Sequence, residues 1–257
     1  MEKIILKNKP LAEAIFELRW ELKEIQPGVR IDPYYKILVG RVYERINKDY
    51  PYYEQLPTAT MPDTIAGYIV QYRFRKNKDK WPLVQIGPGL ITLNDTEGYK
   101  WDDFEKRISE LTTVLFESYP DAGENLKVNS LLLRYIDAIE FDYERDDIFS
   151  FLREKMKVNI KINEEIFKET NVSERPVEFD FRFSFPSTEP KGVIHMRVVK
   201  GKIKTSDALL WETMVNVIGK DVPQEKNKIF DWVRSAHKLT HKWFFKIIEG
   251  DLQKRFE

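Results

Sequence analysis

The alternation of apolar and polar residues between Pro10 and Leu22 constrains the fold more than any other stretch of the sequence. Even-numbered positions from 12 to 22 are apolar, and the odd-numbered positions between them are mostly charged. A period of two is typical of a β-strand with one buried and one exposed face. The stretch from Leu131 to Asp142 is more apolar, but three charged residues still interrupt it. These two stretches predict the opening strands of two similar halves.

The order of the other predicted elements favours the same division. Each opening strand is followed by a helix, three strands and a second helix, and the last helix runs from about Pro223 to Glu249. Gly87-Pro88-Gly89 predicts a tight hairpin, and Tyr50 to Pro62 reads as an irregular loop. The sequence therefore predicts an α+β fold with mainly antiparallel sheets and helices packed on one face. Its halves are residues 1–125 and 126–257.

Composition excludes several classes of function. The 257 residues include 42 basic and 42 acidic side chains, so no strong overall field attracts nucleic acid or an anionic membrane. The sequence has no cysteine, which excludes disulfides, thiolate metal sites and cysteine nucleophiles and suits a reducing cytoplasm. The segment Met1 to Lys9 lacks a signal-peptide core, and no apolar run approaches the length of a membrane span. We therefore expect a cytoplasmic protein without a membrane partner.

Two histidines near the C-terminus are the sequence's best metal candidates. His237 and His241 are spaced i and i+4 on the predicted last helix, so both imidazoles could reach one ion. The residue after His237 is Lys238, where the HExxH motif of metallopeptidases has glutamate. His237 also flanks the apolar helix face, which favours a hydrogen-bonded structural role over a metal or catalytic one. No cofactor is predicted.

Charged residues on the predicted strands form a second set of candidates. Glu13, Glu17 and Arg19 share one strand face, where carboxylates could act as acid and base or bind a divalent cation. A solvated or salt-bridged sheet face is the favoured interpretation. Arginines also alternate with apolar residues on later strands, but most aromatic residues fall on the opposite face. Because an RNA-binding sheet needs exposed stacking aromatics, nucleic acid is a disfavoured partner.

Four sequence blocks, in order, resemble a sporadically distributed family of uncharacterised prokaryotic proteins of about this length. The blocks are Pro10 to Arg19, Val84 to Gly87 with Leu93-Asn94 and Tyr99 and Trp101, Leu133 to Asp137, and Trp232 with Ala236-His237 and Phe244. The resemblance spans nearly the whole chain, although Asp137 stands where asparagine is usual. It implies no activity. The family's patchy distribution is compatible with a mobile defence or toxin–antitoxin cassette.

Together these observations predict a binding or interaction module without catalytic activity. Its partner would be an unknown protein or a second copy of the chain, as in a homodimer. The candidate ligand-binding residues are Glu13, Glu17, Arg19, Gln85, Asn94, Arg134 and His237. One alternative is an enzyme or metal-binding protein that uses His237 and His241 with strand carboxylates. A second alternative is nucleic-acid binding.

Overall fold

The computed structural model describes residues 6–96 and 98–257, which form eleven strands and six α-helices. The strands are β1 Leu11–Trp20, β2 Lys23–Gln26, β3 Val29–Ile31, β4 Tyr52–Gln55, β5 Tyr72–Arg75, β6 Leu83–Gly87, β7 Leu90–Asp95, β8 Val128–Glu140, β9 Asp180–Thr188, β10 Lys191–Ile203 and β11 Ser206–Ile218. The helices are α1 Tyr35–Ile46, α2 Trp101–Ser118, α3 Ala122–Asn125, α4 Ile148–Lys155, α5 Lys226–Ile248 and α6 Asp251–Phe256. Residues 1–5, which contributed to the argument against a signal peptide, lie outside the described residues. Within the described ranges, no helix combines the length and hydrophobicity that a membrane crossing requires.

Nine of the strands form one antiparallel sheet, so the predicted α+β class is confirmed. Their order across the sheet is β4-β5-β6-β7-β1-β8-β11-β10-β9. Each neighbouring pair runs antiparallel. The strands β2 and β3 form a separate hairpin between β1 and α1, so the predicted order of a strand followed directly by a helix is wrong for the first half. Antiparallel sheets of this kind can leave one face without helices.

The pairing of β1 with β8 joins the two predicted halves at the centre of the sheet. Phe16 lies opposite Leu133, and the pairing continues on both sides of this point. Outward from β1 the strands are β7, β6 and β5, and outward from β8 they are β11, β10 and β9. In both series the strand that comes last along the chain lies nearest the centre. Strand β4 is added at the edge next to β5. The sheet contains strands from both sides of the predicted boundary between residues 125 and 126. The division into two domains stays a prediction.

The helices pack on one face of the sheet, as the sequence predicts. Ala14, Phe16, Leu18 and Trp20 of β1 are fully buried and contribute to a core cluster with residues of α1, α2 and α5. A second cluster joins Trp211 and other residues of β8, β10 and β11 to α4, α5 and α6. Each fully buried large side chain contributes about 2 kcal/mol to stability. The opposite face, which carries the odd-numbered residues of β1, is called the open face below.

One predicted loop contains a strand that the sequence pattern does not reveal. Residues Tyr52–Gln55 form β4, which pairs with β5 at the edge of the sheet. The prediction of an irregular loop from Tyr50 to Pro62 was therefore wrong for these four residues. Four residues are too few to show a period, and main-chain hydrogen bonds to β5 define the strand. The predicted β6–β7 hairpin is confirmed, and Gly89 adopts the positive φ of +81° that favours glycine.

A buried carboxylate, Asp32, ties β1, α1 and α2 together. It accepts hydrogen bonds from Trp20 Nε1 at 2.9 Å and from the Tyr119 hydroxyl at 3.2 Å. It also accepts from the backbone N–H groups of Tyr34 at 3.0 Å and Gly89 at 3.4 Å. Buried polar groups stabilise a fold when they are paired in this way.

We expect Asp32→Ala to lower the free energy of unfolding by about 3 kcal/mol, because it leaves the buried Trp20 and Tyr119 donors without an acceptor. Urea denaturation measures this change. Asp63→Ala is the control, because Asp63 is an exposed partner of Lys36 and its loss should cost less than about 1 kcal/mol. Equal midpoints for the two variants would contradict the role assigned to Asp32.

Candidate functional site

A pocket of about 520 Å³ opens on the helix-covered face of the sheet. Its floor is formed by β8 and β11, and its walls by α5, the start of α2 and the segment that precedes β1. Leu6, Pro10, Leu11, Phe244 and Phe245 supply apolar wall surface. This volume lies in the range of small-molecule sites, which are mostly apolar and contain a few polar groups.

The most unusual residue of the pocket is Asp137 on β8. The residue is only 3% exposed, and its carboxyl group makes no hydrogen bond or ion pair with any described residue. Burial raises the pKa of Asp137 to about 8, because the charged form loses its hydration. The neighbouring floor residue Thr213 also has a hydroxyl without a partner among the described residues. The floor thus presents polar groups that the surrounding chain leaves unsatisfied.

A chain of hydrogen bonds runs along one wall of the pocket. The hydroxyls of Tyr99 and Tyr135 lie 3.0 Å apart, and that of Tyr135 lies 2.9 Å from His237 Nδ1. Burial raises the pKa of both phenols, so each keeps its proton. Each of these hydrogen bonds can run in either direction, since a hydroxyl both donates and accepts. If Tyr135 donates to His237 Nδ1, the imidazole proton lies on Nε2, and if Nδ1 donates, it lies on Nδ1.

His237 is held by stacking as well as by hydrogen bonding. Its ring lies 3.6 Å from that of Trp101, with an interplanar angle of 6°. Burial and, to a smaller extent, the nearby His241 together lower the pKa of His237 to about 3. Burial also lowers the pKa of His241. Both imidazoles are therefore neutral at physiological pH.

The two histidines do not form part of a metal-ligand cluster in the described structure. Their ring centroids are 5.6 Å apart. Within residues 6–96 and 98–257, no group of three or more histidine, aspartate or glutamate side chains is arranged to hold a metal ion. A structural or catalytic zinc site needs at least three protein ligands.

The sequence-predicted candidates lie on two different faces of the sheet. His237 lines the pocket, whereas the other six lie on the open face: Glu13, Glu17, Arg19, Gln85, Asn94 and Arg134. The structure therefore does not bring all seven together. Whether any of them binds a ligand stays a prediction.

Many polar side chains of the open face are hydrogen-bonded to, or form salt bridges with, their neighbours. Asn94 donates to Glu13 at 2.8 Å and accepts from Gln85 at 3.2 Å. Arg19 pairs with Glu17 at 2.7 Å. Salt bridges of this exposure contribute up to about 1 kcal/mol each. This half of the face therefore has the character of a hydrogen-bonded sheet surface.

The other half of the open face carries a longer ion-pair chain. Glu212 accepts from Arg134 at 2.7 Å and from Arg197 at 3.0 Å. Arg197 also pairs with Asp180, which in turn pairs with Arg182. These arginines hold the pKa of the Asp180 carboxyl below its usual range. Positive and negative charges thus alternate across the strands.

The third histidine also lies on the open face, between a serine and an asparagine. His195 Nδ1 is 2.7 Å from Ser184 Oγ, and its Nε2 is 2.8 Å from Asn216 Oδ1. A nucleophilic serine also needs oxyanion donors and an enclosed site for substrate. Ser184 is instead exposed on the outermost strand β9. We therefore interpret this arrangement as part of the polar surface.

Sequence reasoning missed Tyr99, Trp101, Tyr135 and Asp137 as site residues. The sequence does contain an indication for Asp137. It lies an even number of residues from Leu131 and Leu133 on β8, so it faces the same side of the sheet as these buried leucines. A carboxylate at a core-facing strand position is expensive and points to a special environment.

Comparison with known proteins assigns no function to this pocket. No protein-family model matches the chain, and no curated protein matches it either. The family resemblance stated above therefore stays a prediction. The pocket's geometry and electrostatics are the features that indicate a functional site.

We expect the stability of the protein to depend on pH through Asp137. In the unfolded chain an aspartate ionises near pH 4, whereas the folded pKa is about 8. Folding takes up a proton at Asp137 between these values, so the contribution of Asp137 to stability is greatest below pH 4 and is lost as the pH rises to 8. Asp137→Asn cannot ionise and should be more stable than the wild type at pH 9, by several kcal/mol, but not at pH 4.

Urea denaturation at pH 4, 7 and 9 measures this dependence. Asp146→Asn is the matched control, because Asp146 is an exposed aspartate on the loop after β8. If the stabilities of the wild type and of Asp137→Asn change in parallel between pH 4 and 9, the raised pKa assigned to Asp137 is wrong.

Proposed function

We propose that this protein is a binding module that holds a small, mostly apolar molecule in the pocket without transforming it. One observation carries the proposal: a cavity of about 520 Å³, walled by aromatic rings, is lined by Asp137, whose carboxyl group has no partner among the described residues. A pocket with a few polar groups in an apolar lining is the usual form of a small-molecule site. Two contacts support the wall, because Trp101 stacks on His237 and His237 is hydrogen-bonded to Tyr135.

The polar groups of the pocket support binding more directly than catalysis. The Tyr99 and Tyr135 hydroxyls and His237 Nδ1 are engaged with one another. Their shifted pKa values keep all three side chains neutral near pH 7. Neutral, mutually bonded groups orient a ligand well, whereas acid–base catalysis needs a group that changes its charge.

An enzyme is the second candidate, and Asp137 is the observation that favours it. A pKa of about 8 lies close to physiological pH, where a general acid or base works best. Such an enzyme would combine a strand carboxylate with His237 on the facing helix. Turnover of a substrate that is lost in Asp137→Asn would favour this candidate over simple binding.

Nucleic acid remains a disfavoured partner in this proposal. The arginines on the open face are paired with carboxylates: Arg73 and Arg75 with Glu54, Arg182 and Arg197 with Asp180, and Arg134 with Glu212. A phosphate backbone would have to compete with these carboxylates for the guanidinium groups.

The proposal keeps three expectations from the sequence. A cytoplasmic location suits a chain without cysteine. A protein partner or a second copy of the chain could use the open face, since its charges of both signs can complement a matching surface. A place in a mobile defence or toxin–antitoxin cassette rests on the family resemblance alone.

Ligand-observed NMR with a library of aromatic fragments tests the proposal. We expect some fragments to bind the wild type, and Trp101→Ala to weaken them at least tenfold, because it removes a wall of the pocket and the support for His237. Trp81→Ala is the matched control, since Trp81 lies near Arg75 and does not line the pocket. Circular dichroism checks that both variants are folded.

Two results would contradict pocket binding. One is a wild type that binds no fragment at millimolar concentration. The other is a set of fragments whose affinity falls with Trp81→Ala and not with Trp101→Ala.

A further inference from the structure

The environment of Asp137 defines what a ligand of this pocket must supply. The carboxyl group is buried and has no donor or cation among the described residues. Burial of a carboxyl group without a hydrogen bond is costly, and burial of its charged form is more costly still. A ligand that brings a positive charge or strong hydrogen-bond donors to the carboxyl oxygens of Asp137 would offset the free-energy cost of their burial.

The basic side chains near the pocket do not supply this charge. Lys9 and Lys100 line the pocket but are exposed, and Lys9 Nζ donates to the Tyr99 carbonyl oxygen at 2.9 Å. Neither lysine forms an ion pair with Asp137 in the described structure. The neutral forms of His237 and His241 add no positive charge either. Within residues 6–96 and 98–257, no basic side chain therefore provides a positive charge beside Asp137.

Aromatic rings surround the same cavity. Tyr99, Trp101, Tyr135, Phe244 and Phe245 all line it. The face of an aromatic ring attracts a cation electrostatically, and this attraction is strongest where water is excluded. Rings around a carboxylate are the combination that recognises organic ammonium groups, because the rings hold the apolar body while the carboxylate binds the charge.

We propose that the ligand of this pocket is an organic amine in its protonated form, whose nitrogen pairs with Asp137 while its apolar body contacts the aromatic wall. The inference rests on the proposed function, since it names the ligand class of the same pocket. A carboxylate ligand would bring a second negative charge towards Asp137. A neutral ligand would leave the ionised form of Asp137 without a counter-charge.

This assignment predicts that binding is linked to the ionisation of Asp137. The other titratable groups that line the pocket are Tyr99, Tyr135, His237, His241, Lys9, Lys100 and Asp102. The phenols stay protonated and the histidines stay neutral between pH 7 and 9, so Asp137 is the group expected to change. With a pKa of about 8, its ionised fraction rises roughly tenfold over this interval.

Three indole probes of similar size and different charge test the inference: tryptamine, its neutral analogue tryptophol, and the anion indole-3-acetate. Titration calorimetry should show that tryptamine binds the wild type best. Its affinity should rise about tenfold from pH 7 to pH 9, because an alkylammonium stays charged up to a pKa of about 10. Asp137→Asn should lose at least tenfold in affinity for tryptamine and lose the pH dependence, whereas Asp146→Asn should keep both.

The possible failures are distinguishable. If tryptophol or indole-3-acetate binds as tightly as tryptamine and Asp137→Asn binds all three unchanged, the amine assignment is wrong while pocket binding stands. If no probe binds, the amine assignment is overturned, and the aromatic fragment library separately decides whether the pocket binds anything. Thermal denaturation of Asp137→Asn confirms that any loss of affinity occurs in a folded protein.

Discussion

The antiparallel pairing of β1 with β8 is the constraint on which the rest of the structure depends. It joins the strands of both halves into one sheet and sets which side chains of β8 face the helices. In this register Leu131, Leu133 and Asp137 share the helix-covered face, and Arg134 lies on the open one. A slip of one residue would exchange the two sets, because side chains alternate between the faces of a strand. The packing energy of β1, with four fully buried side chains, opposes such a slip.

Asp137 differs from the charged groups of the open face in its pairing. On the open face, carboxylates and guanidinium groups are paired across adjacent strands, as in the chain from Arg134 through Glu212 to Arg197. These partly exposed pairs contribute little individually. On the helix-covered face, Asp137 has no described partner although it is almost completely buried. Since unpaired burial is far more costly than a missing surface ion pair, Asp137 is the stronger indication of function.

The pocket combines a wall of mutually bonded side chains with a titratable carboxyl group on its floor. Stacking and hydrogen bonding hold Trp101, His237 and Tyr135 in place, and burial keeps the two protonatable side chains among them neutral. Preorganisation of this kind lowers the entropy cost of binding a ligand. Asp137 differs, because its charge state changes close to physiological pH. Recognition by such a pocket would therefore depend on both the shape of the ligand and its ability to stabilise one protonation state.

The sequence by itself determined the local elements and the fold class. Alternation identified β1, and Gly87-Pro88-Gly89 identified the β6–β7 hairpin, because both patterns reflect short-range geometry. Strand β4 escaped detection, since four residues carry too little periodicity to be recognised. The pocket was also beyond sequence reasoning: Trp101, Asp137 and His237 are far apart along the chain and meet only because β8, α2 and α5 pack together. Tertiary structure thus decided which polar residues pair with one another on the open face, and it left Asp137 and Thr213 in the pocket without partners among the described residues. The physical reason is that strand register and helix packing depend on contacts between distant segments, which no local pattern encodes.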